Sequence, residues 1–252
     1  MAGEARRPDT PFWVEPDAVG PDSLRLTPEE SHHLLHVFRA RPGTPFEAVD
    51  GAGRLYECEL SGTERRAAIG RILARRERAG ELPGRLVLLA GMPGAAAAQD
   101  LVARAVPLGV SAIHLVAAER GECPRGTEAR AERLGRIARA ALKQSRRTVL
   151  PELRLGAGVA EILQGLGGGG TFVLADPAGA SWSVSTAAGV KESVVVAVGP
   201  PGGFSESEKA LFAGRGFVSI SLGNSRLRTE DAASALLALA REGILSTRAA
   251  SH

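Results

Sequence analysis

A chain of 252 residues, 44% hydrophobic and 23% charged, has the length of two ordinary domains and the composition of a protein that buries a core. Disorder is not the default for such a composition, and the longest apolar run falls well short of the roughly 20 residues that a bilayer crossing needs. The opening MAGEARRPDT carries no apolar segment after its charges, so a cytoplasmic protein with no membrane partner is expected. Cys58 and Cys123 lie far apart and form neither a CxxC pair nor a metal knot; two free thiols are expected. The net charge is +3, and only three of the 31 basic residues are lysines. Arginine suits bidentate phosphate contact and base stacking, which points modestly to a nucleic-acid partner, no more strongly than to a soluble protein that happens to be basic.

In chain order, residues 1–78 read as a small β-rich domain. PFWV, SLRLT, TPFEAVDGAGRLYECELS and AAIGRILARR are strand-like runs, with a hairpin turn at Asp50-Gly51-Ala52-Gly53. Between them a helix is predicted from Thr27 to Phe38, with Thr27 as cap, Pro28 at the first helical position and Glu30 completing a capping box. His32 and His36 are spaced i, i+4 on that helix, as zinc ligands can be, but no third ligand accompanies them. A packing and RNA-facing helix is the expectation, and no metal.

ELPGR, around Gly80 to Gly84, breaks the β pattern, and residues 82–248 alternate strands with helices. RLVLLAG, VSAIHLVAA, FVLAD, VVVAVG and FVSISLG read as buried strands; QDLVARAVPLG and TEARAERLGRIARAALKQS read as helices, the second with an arginine-studded face. Such alternation predicts a mainly parallel α/β sheet. GLGGGG, from Gly165 to Gly170, precedes its strand and opens no helix, so it fails the phosphate-loop patterns and reads as a flexible linker. His114 sits within an apolar strand and reads as structural.

Ligands of open α/β sheets sit beyond the carboxyl ends of the strands. Three such ends stand out: Leu174-Ala175-Asp176-Pro177, Gly199-Pro200-Pro201-Gly202-Gly203, and the run from Leu222 to Arg228. Ser205 with Glu208 forms a capping box after the second, and Thr229 is placed to cap a helix after the third, with Glu230 and Asp231 in its first turn. Singly, each also fits an ordinary βα turn.

Taken together, GPPGGFSESE and SLGNSRLRTEDAA resemble the paired cofactor loops of the SPOUT methyltransferases, most closely the RsmE-type enzymes that methylate N3 of a uridine in small-subunit ribosomal RNA. HHLLHVFRARPGTPFEAVDGAGRLYECEL resembles that family's PUA-like RNA-binding domain, and QSRRTVLPEL its QSxRxxxP segment. The resemblance implies a SPOUT trefoil-knot α/β methyltransferase domain preceded by a small PUA-like β-barrel domain, a homodimer packed knot against knot, and S-adenosylmethionine as cofactor with no metal. It implies cofactor-binding positions at Leu174, Ala175, Gly199, Pro200, Gly202, Gly203, Leu222, Gly223, Leu227, Thr229 and Ala232. It also implies RNA contacts from Arg39, Arg41, Arg147, Asn224 and Arg226, on an arginine face that takes in Arg6, Arg7, Arg139 and Arg146. Uracil N3 carries a proton and is a poor nucleophile until it leaves, so the site needs a base, or a cation that stabilises the imide anion. Arg228 is the candidate cation and Glu230 the candidate base; a phosphate or backbone clamp and a helix-terminus charge are the alternative roles.

The family wording departs here at Pro201, where GPEGG has an acid, at Asn224-Ser225 in place of a proline-arginine pair, at Lys143 in place of a glutamate, and at Pro107. Two further readings stay open: a methyltransferase of the same fold acting on another acceptor, such as a small nitrogen heterocycle, and an RNA-binding paralogue without catalysis.

Overall fold

The computed structural model describes residues 8–122, 127–182 and 193–249; Arg6, Arg7 and Cys123 lie outside them. Its contacts divide the chain into two units. The first takes residues up to Glu81 together with Arg139–Leu150, and the second takes Leu82–Ala138 and the chain from Pro151 onward.

In the first unit β1 (Phe12–Trp13), β2 (Ser23–Arg25), β3 (Pro45–Val49), β4 (Arg54–Glu64) and β5 (Ala67–Glu77) form one sheet in the order β1-β3-β4-β5-β2. The long β4–β5 hairpin slips register between Glu57 and Cys58 and again between Leu60 and Gly62, so the sheet curls. The curl wraps a core of Phe12, Leu24, Leu34, Phe46, Tyr56 and Leu60. Gly70 is required there, since a Cβ at that position would stand 2.5 Å from the Phe46 ring. The turn before β4 is tied by Asp50, whose Oδ1 accepts the Ala52 and Arg54 N–H groups at 2.8 and 3.0 Å while Oδ2 accepts the Tyr56 hydroxyl at 2.9 Å.

The helix expected over 27–38 is shorter as a regular helix. α1 (Pro28–His32) widens into a π turn (His33–Val37), in which the Phe38 N–H reaches the His33 carbonyl at 3.0 Å. Its cap is half of the expected box: Thr27 Oγ1 accepts the Glu30 N–H at 3.3 Å, but the Glu30 carboxylate turns to Lys143 instead of back to the cap. Arg147 corrects a further expectation. Its guanidinium is buried and forks onto Glu81, with Nη2 at 2.6 Å, while Glu81 also accepts the Thr148 and Val149 N–H groups at 2.8 and 2.9 Å. A charge spent on that internal pair is not offered to RNA. Arg139 likewise lies over the Trp13 ring at 4.4 Å and beside Glu15, and Arg146 holds the Asp9 carbonyl, so the expected arginine face is not a continuous row of open charge.

The second unit is a six-stranded, wholly parallel sheet among the described strands. β6 (Arg85–Gly91), β7 (Ala112–Ala117), β8 (Glu152–Gly158), β9 (Thr171–Ser181), β10 (Ser193–Val198) and β11 (Val218–Ser221) run in the order β11-β9-β10-β6-β7-β8. The helices are α2 (Ala95–Ala105), α3 (Thr127–Ser145, entering the first unit at Arg139), α4 (Val159–Gly165), α5 (Glu206–Gly214) and α6 (Thr229–Ala249). Strand side chains alternate between faces. Val87, Leu89, Phe172, Leu174 and Val195 form one core with Ile162, Leu163 and Phe212 of α4 and α5. The alternate positions Leu86, Leu88, Val194 and Val196 are equally buried, and α6 packs on β10, β6 and α2.

β8 and α4 have no counterpart in the sequence reading, and α2 begins at Ala95, well before Gln99. Gly165, the first residue of the expected linker, closes α4. No described helix is long and apolar enough to cross a membrane.

Candidate cofactor and active site

The parallel strands β9, β10 and β11 end side by side, and the chain leaving each one makes a wall of a cavity of about 600 Å³. The first wall is a fault in the sheet. β11 pairs with β9 at Leu174 and then, one residue on, at Ala180, so the residues between are thrown out of the ladder. Asp176 caps this excursion, its Oδ1 accepting the Ala178 N–H at 3.0 Å, while Gly179 passes so close to β11 that a Cβ would stand 2.5 Å from the Ile220 nitrogen.

The second wall is the turn after β10. Gly203 N–H closes onto the Pro200 carbonyl at 2.7 Å with Gly203 at φ +70°, a conformation that favours glycine. A Cβ on Gly199 would lie 2.9 Å from Gly203 Cα and from the Phe204 nitrogen, so the turn folds this tightly only with glycine. Beyond it, Ser205 caps α5 with the full expected box: Ser205 Oγ accepts the Glu208 N–H at 3.2 Å, and Glu208 Oε2 accepts the Ser205 N–H at 2.8 Å. Glu208 Oε1 also accepts the Glu119 N–H at 2.9 Å, fixing the turn to the segment after β7.

The third wall, residues 222–227, is tied to the second by two hydrogen bonds. Arg226 Nη2 donates to the Pro201 carbonyl at 3.1 Å, and Thr229 Oγ1 donates to the Gly199 carbonyl at 3.1 Å. Thr229 is itself the first residue of α6 and so does not occupy the cap position. That place falls to Arg228, whose carbonyl accepts the Asp231 and Ala232 N–H groups at 3.1 and 2.8 Å.

Every residue named above as a cofactor position, from Leu174 to Ala232, lines this one cavity, and so do Asn224 and Arg226. Arg39 and Arg41 are exposed on the first unit. Arg228 does not line the cavity, although Leu227 and Thr229 on either side of it do. Its side chain is exposed, with no hydrogen-bond or ion-pair partner among the described residues. Glu230 is 7% exposed, in the first turn of α6.

Three charged residues line the cavity that the sequence reading did not assign: Arg120, Asp176 and Lys209. Asp176 was visible as a strand end, but its place depends on the register slip, which leaves no periodic trace. Arg120 Nη1 reaches toward the Gly202 carbonyl at 3.4 Å, and Lys209 Nζ binds Asp176 Oδ2 at 2.9 Å. Burial works to raise the Asp176 carboxyl, but the Ala178 N–H and the Lys209 ammonium outweigh it and hold the group below the usual carboxylate range. Among the described residues no cluster of three or more His, Cys, Asp or Glu is placed to hold a metal.

A parallel α/β unit with a glycine-framed cavity at its strand ends, in one chain with a curled β unit, is a two-part architecture whose α/β part carries a ligand site. An RNA methyltransferase domain model matches residues 80–241, and an RNA methyltransferase PUA domain model matches residues 26–73; the chain belongs to the RNA methyltransferase family they describe. It is 26% identical over 230 residues to the ribosomal RNA small subunit methyltransferase E of Synechocystis, spanning 89% of this chain and 75% of that protein. To the enzyme of the same name from Mycobacterium bovis it is 27% identical over 229 residues, 87% of this chain and 86% of the other. The crystal structure of the methyltransferase E of Neisseria gonorrhoeae bound to S-adenosyl methionine matches with a TM-score of 0.80 at 26% identity, over 91% of this chain and 95% of that one.

Proposed function

We propose that this chain is an S-adenosylmethionine-dependent methyltransferase that modifies small-subunit ribosomal RNA at N3 of a uridine, working in the cytoplasm as a homodimer with its C-terminal part threaded into a trefoil knot. Residues 1–78 hold RNA and residues 82–248 carry the chemistry. The observation that carries the reading is the cavity at the ends of β9, β10 and β11. Its volume of about 600 Å³ falls within the range of cofactor sites. Its apolar wall of Leu174, Val198, Leu222 and Leu227 suits an adenine ring, and its charged rim of Arg120 and Asp176 suits a zwitterionic amino-acid end and a ribose. The bound cofactor would supply an electrophilic methyl group on a sulfonium.

This chain's residues do the rest. Gly199 and Gly203 keep Cβ atoms out of the turn, and Arg226 and Thr229 lock the second and third walls together. Arg228, an exposed guanidinium without a partner among the described residues and set between two cavity residues, is the group to hold the imide anion that forms when the uracil N3 proton leaves. Neither candidate lines the cavity, and Glu230 is the less favoured of the two because it is largely buried where Arg228 is exposed.

Calorimetry of the purified protein with S-adenosylmethionine, followed by methyl transfer to small-subunit RNA, tests the proposal. Binding with transfer to a uridine supports it. Binding with transfer only to a small heterocycle replaces the acceptor, and no binding at millimolar cofactor overturns the enzyme reading.

A further inference from the structure

The π turn of the first unit presents an unusual surface. Leu34 is fully buried, yet Val37 and Phe38, three and four positions on, are 61% and 43% exposed. Phe38 is not a loose side chain. Its ring meets His33 edge-on at 5.0 Å and Phe12 at 6.0 Å, and Phe12, itself buried, stands against the core ring of Phe46 at 5.8 Å. In the same segment the exposed His32 and His36 rings lie 4.8 Å apart, tilted by 37°. Aromatic faces that are open on one side and buttressed on the other are prepaid in side-chain entropy, which is the condition for stacking a ligand ring.

Charge indicates what would stack. Arg39, held at φ +54°, and Arg41, set by a hydrogen bond from its N–H to Thr44 Oγ1 at 3.0 Å, follow the turn directly. Neither guanidinium has a partner among the described residues. Other arginines of this unit are paired internally: Arg25 with Glu64, Arg54 with Glu77, Arg71 with Glu59, and Arg76 with Glu47 and Glu57. Exposed rings followed directly in the chain by exposed, unspent cations match unstacked bases between phosphates. A second copy of the chain fits less well, because two open arginine pairs would meet across a twofold axis.

We infer, resting on the RNA-substrate reading, that the turn from His32 to Arg41 is a stacking platform for a splayed, single-stranded stretch of RNA, with Arg39 and Arg41 on the flanking phosphates. The full chain, titrated by anisotropy with a labelled oligouridine of about ten nucleotides, long enough for one such site, tests it. Phe38→Ala, and separately His32→Ala with His36→Ala, are expected to weaken binding about tenfold with the salt slope unchanged, and Phe38→Trp to keep wild-type affinity. Arg39→Gln with Arg41→Gln is expected to reduce the log–log salt slope by about 1.4. Wild-type affinity in Phe38→Ala and in the double histidine variant overturns the platform, as does a Phe38→Ala protein that loses self-association while binding RNA unchanged. Cofactor calorimetry on the same samples separates the two proposals. Oligouridine bound through Phe38 without cofactor binding sinks the methyltransferase proposal and leaves the platform, and the converse sinks the platform alone.

Discussion

Two glycine-rich stretches of the second unit look alike on paper and differ in space. Along Gly165–Gly170, a Cβ built on Gly165, Gly167, Gly168 or Gly169 would meet nothing within 4 Å, and only Gly170, at φ +138°, presses on the Ser193 carbonyl. Along Gly199–Gly203 the turn closes on itself: a Cβ on Gly199 strikes backbone at 2.9 Å, and one on Gly202 comes to 3.1 Å from Arg120 Cβ. The first stretch leaves a short helix, and the second leaves a buried parallel strand and enters a capped helix. Glycine content alone therefore says little; what marks a site is glycine where the backbone must approach itself or a ligand.

The sharpest way to break this contrast is Gly199→Val, which forces β-branched atoms into the Gly203 and Phe204 backbone. It is expected to cost about 1–3 kcal/mol of stability and to abolish cofactor binding, read by thermal unfolding and calorimetry together. Gly203→Phe comes next, and it separates turn geometry from cavity volume. Nothing lies within 4 Å of its Cβ, so the cost is the φ of +70°, about 1 kcal/mol, while the ring would occupy the cavity. A folded protein with cofactor affinity down by about a hundredfold or more is expected, since the ring displaces bound ligand outright.

Asp176→Asn gives a smaller effect, about tenfold in cofactor affinity, the scale of one charge-assisted hydrogen bond. Its pH dependence has a definite sign. The folded-state carboxyl is held below its ordinary value, so its contribution to stability is present above the unfolded pKa and is lost as pH falls through the lower, folded one. Cofactor binding should therefore be flat from pH 5 to 8 as far as this group is concerned, an interval well above the roughly 3.9 of an ordinary aspartate. A carboxyl-dependent change in that window would mean that Lys209 does not hold Asp176. Smallest of all, Gly168→Ala is expected to leave stability within about 0.5 kcal/mol and cofactor affinity unchanged. A large loss there would erase the distinction between the two stretches.

Much of the fold was legible along the chain. The bounds of β6 and α3 follow from an apolar run closed by glycine and from a long amphipathic repeat, and the three strand ends that wall the cavity stood out locally, whereas the individual cofactor positions came from the resemblance of the paired loops. The two capping boxes show where that legibility stops. Ser205 and Glu208 close theirs as spacing predicts, whereas Glu30, at the same spacing from Thr27, is taken by Lys143, 113 residues away.

The chain by itself determined most of the strands and the long helix α3, though not β8 or α4, since periodicity, caps and a missing Cβ act within a few residues. Only the tertiary structure decided that Arg147 is buried on Glu81 while Arg39, Arg41 and Arg228 stay open, and that a slip in β9 turns Asp176 toward Lys209 and the cavity. A charge is spent or available according to what folding brings within about 4 Å of it, and that distance is set by packing between parts of the chain that no local pattern connects.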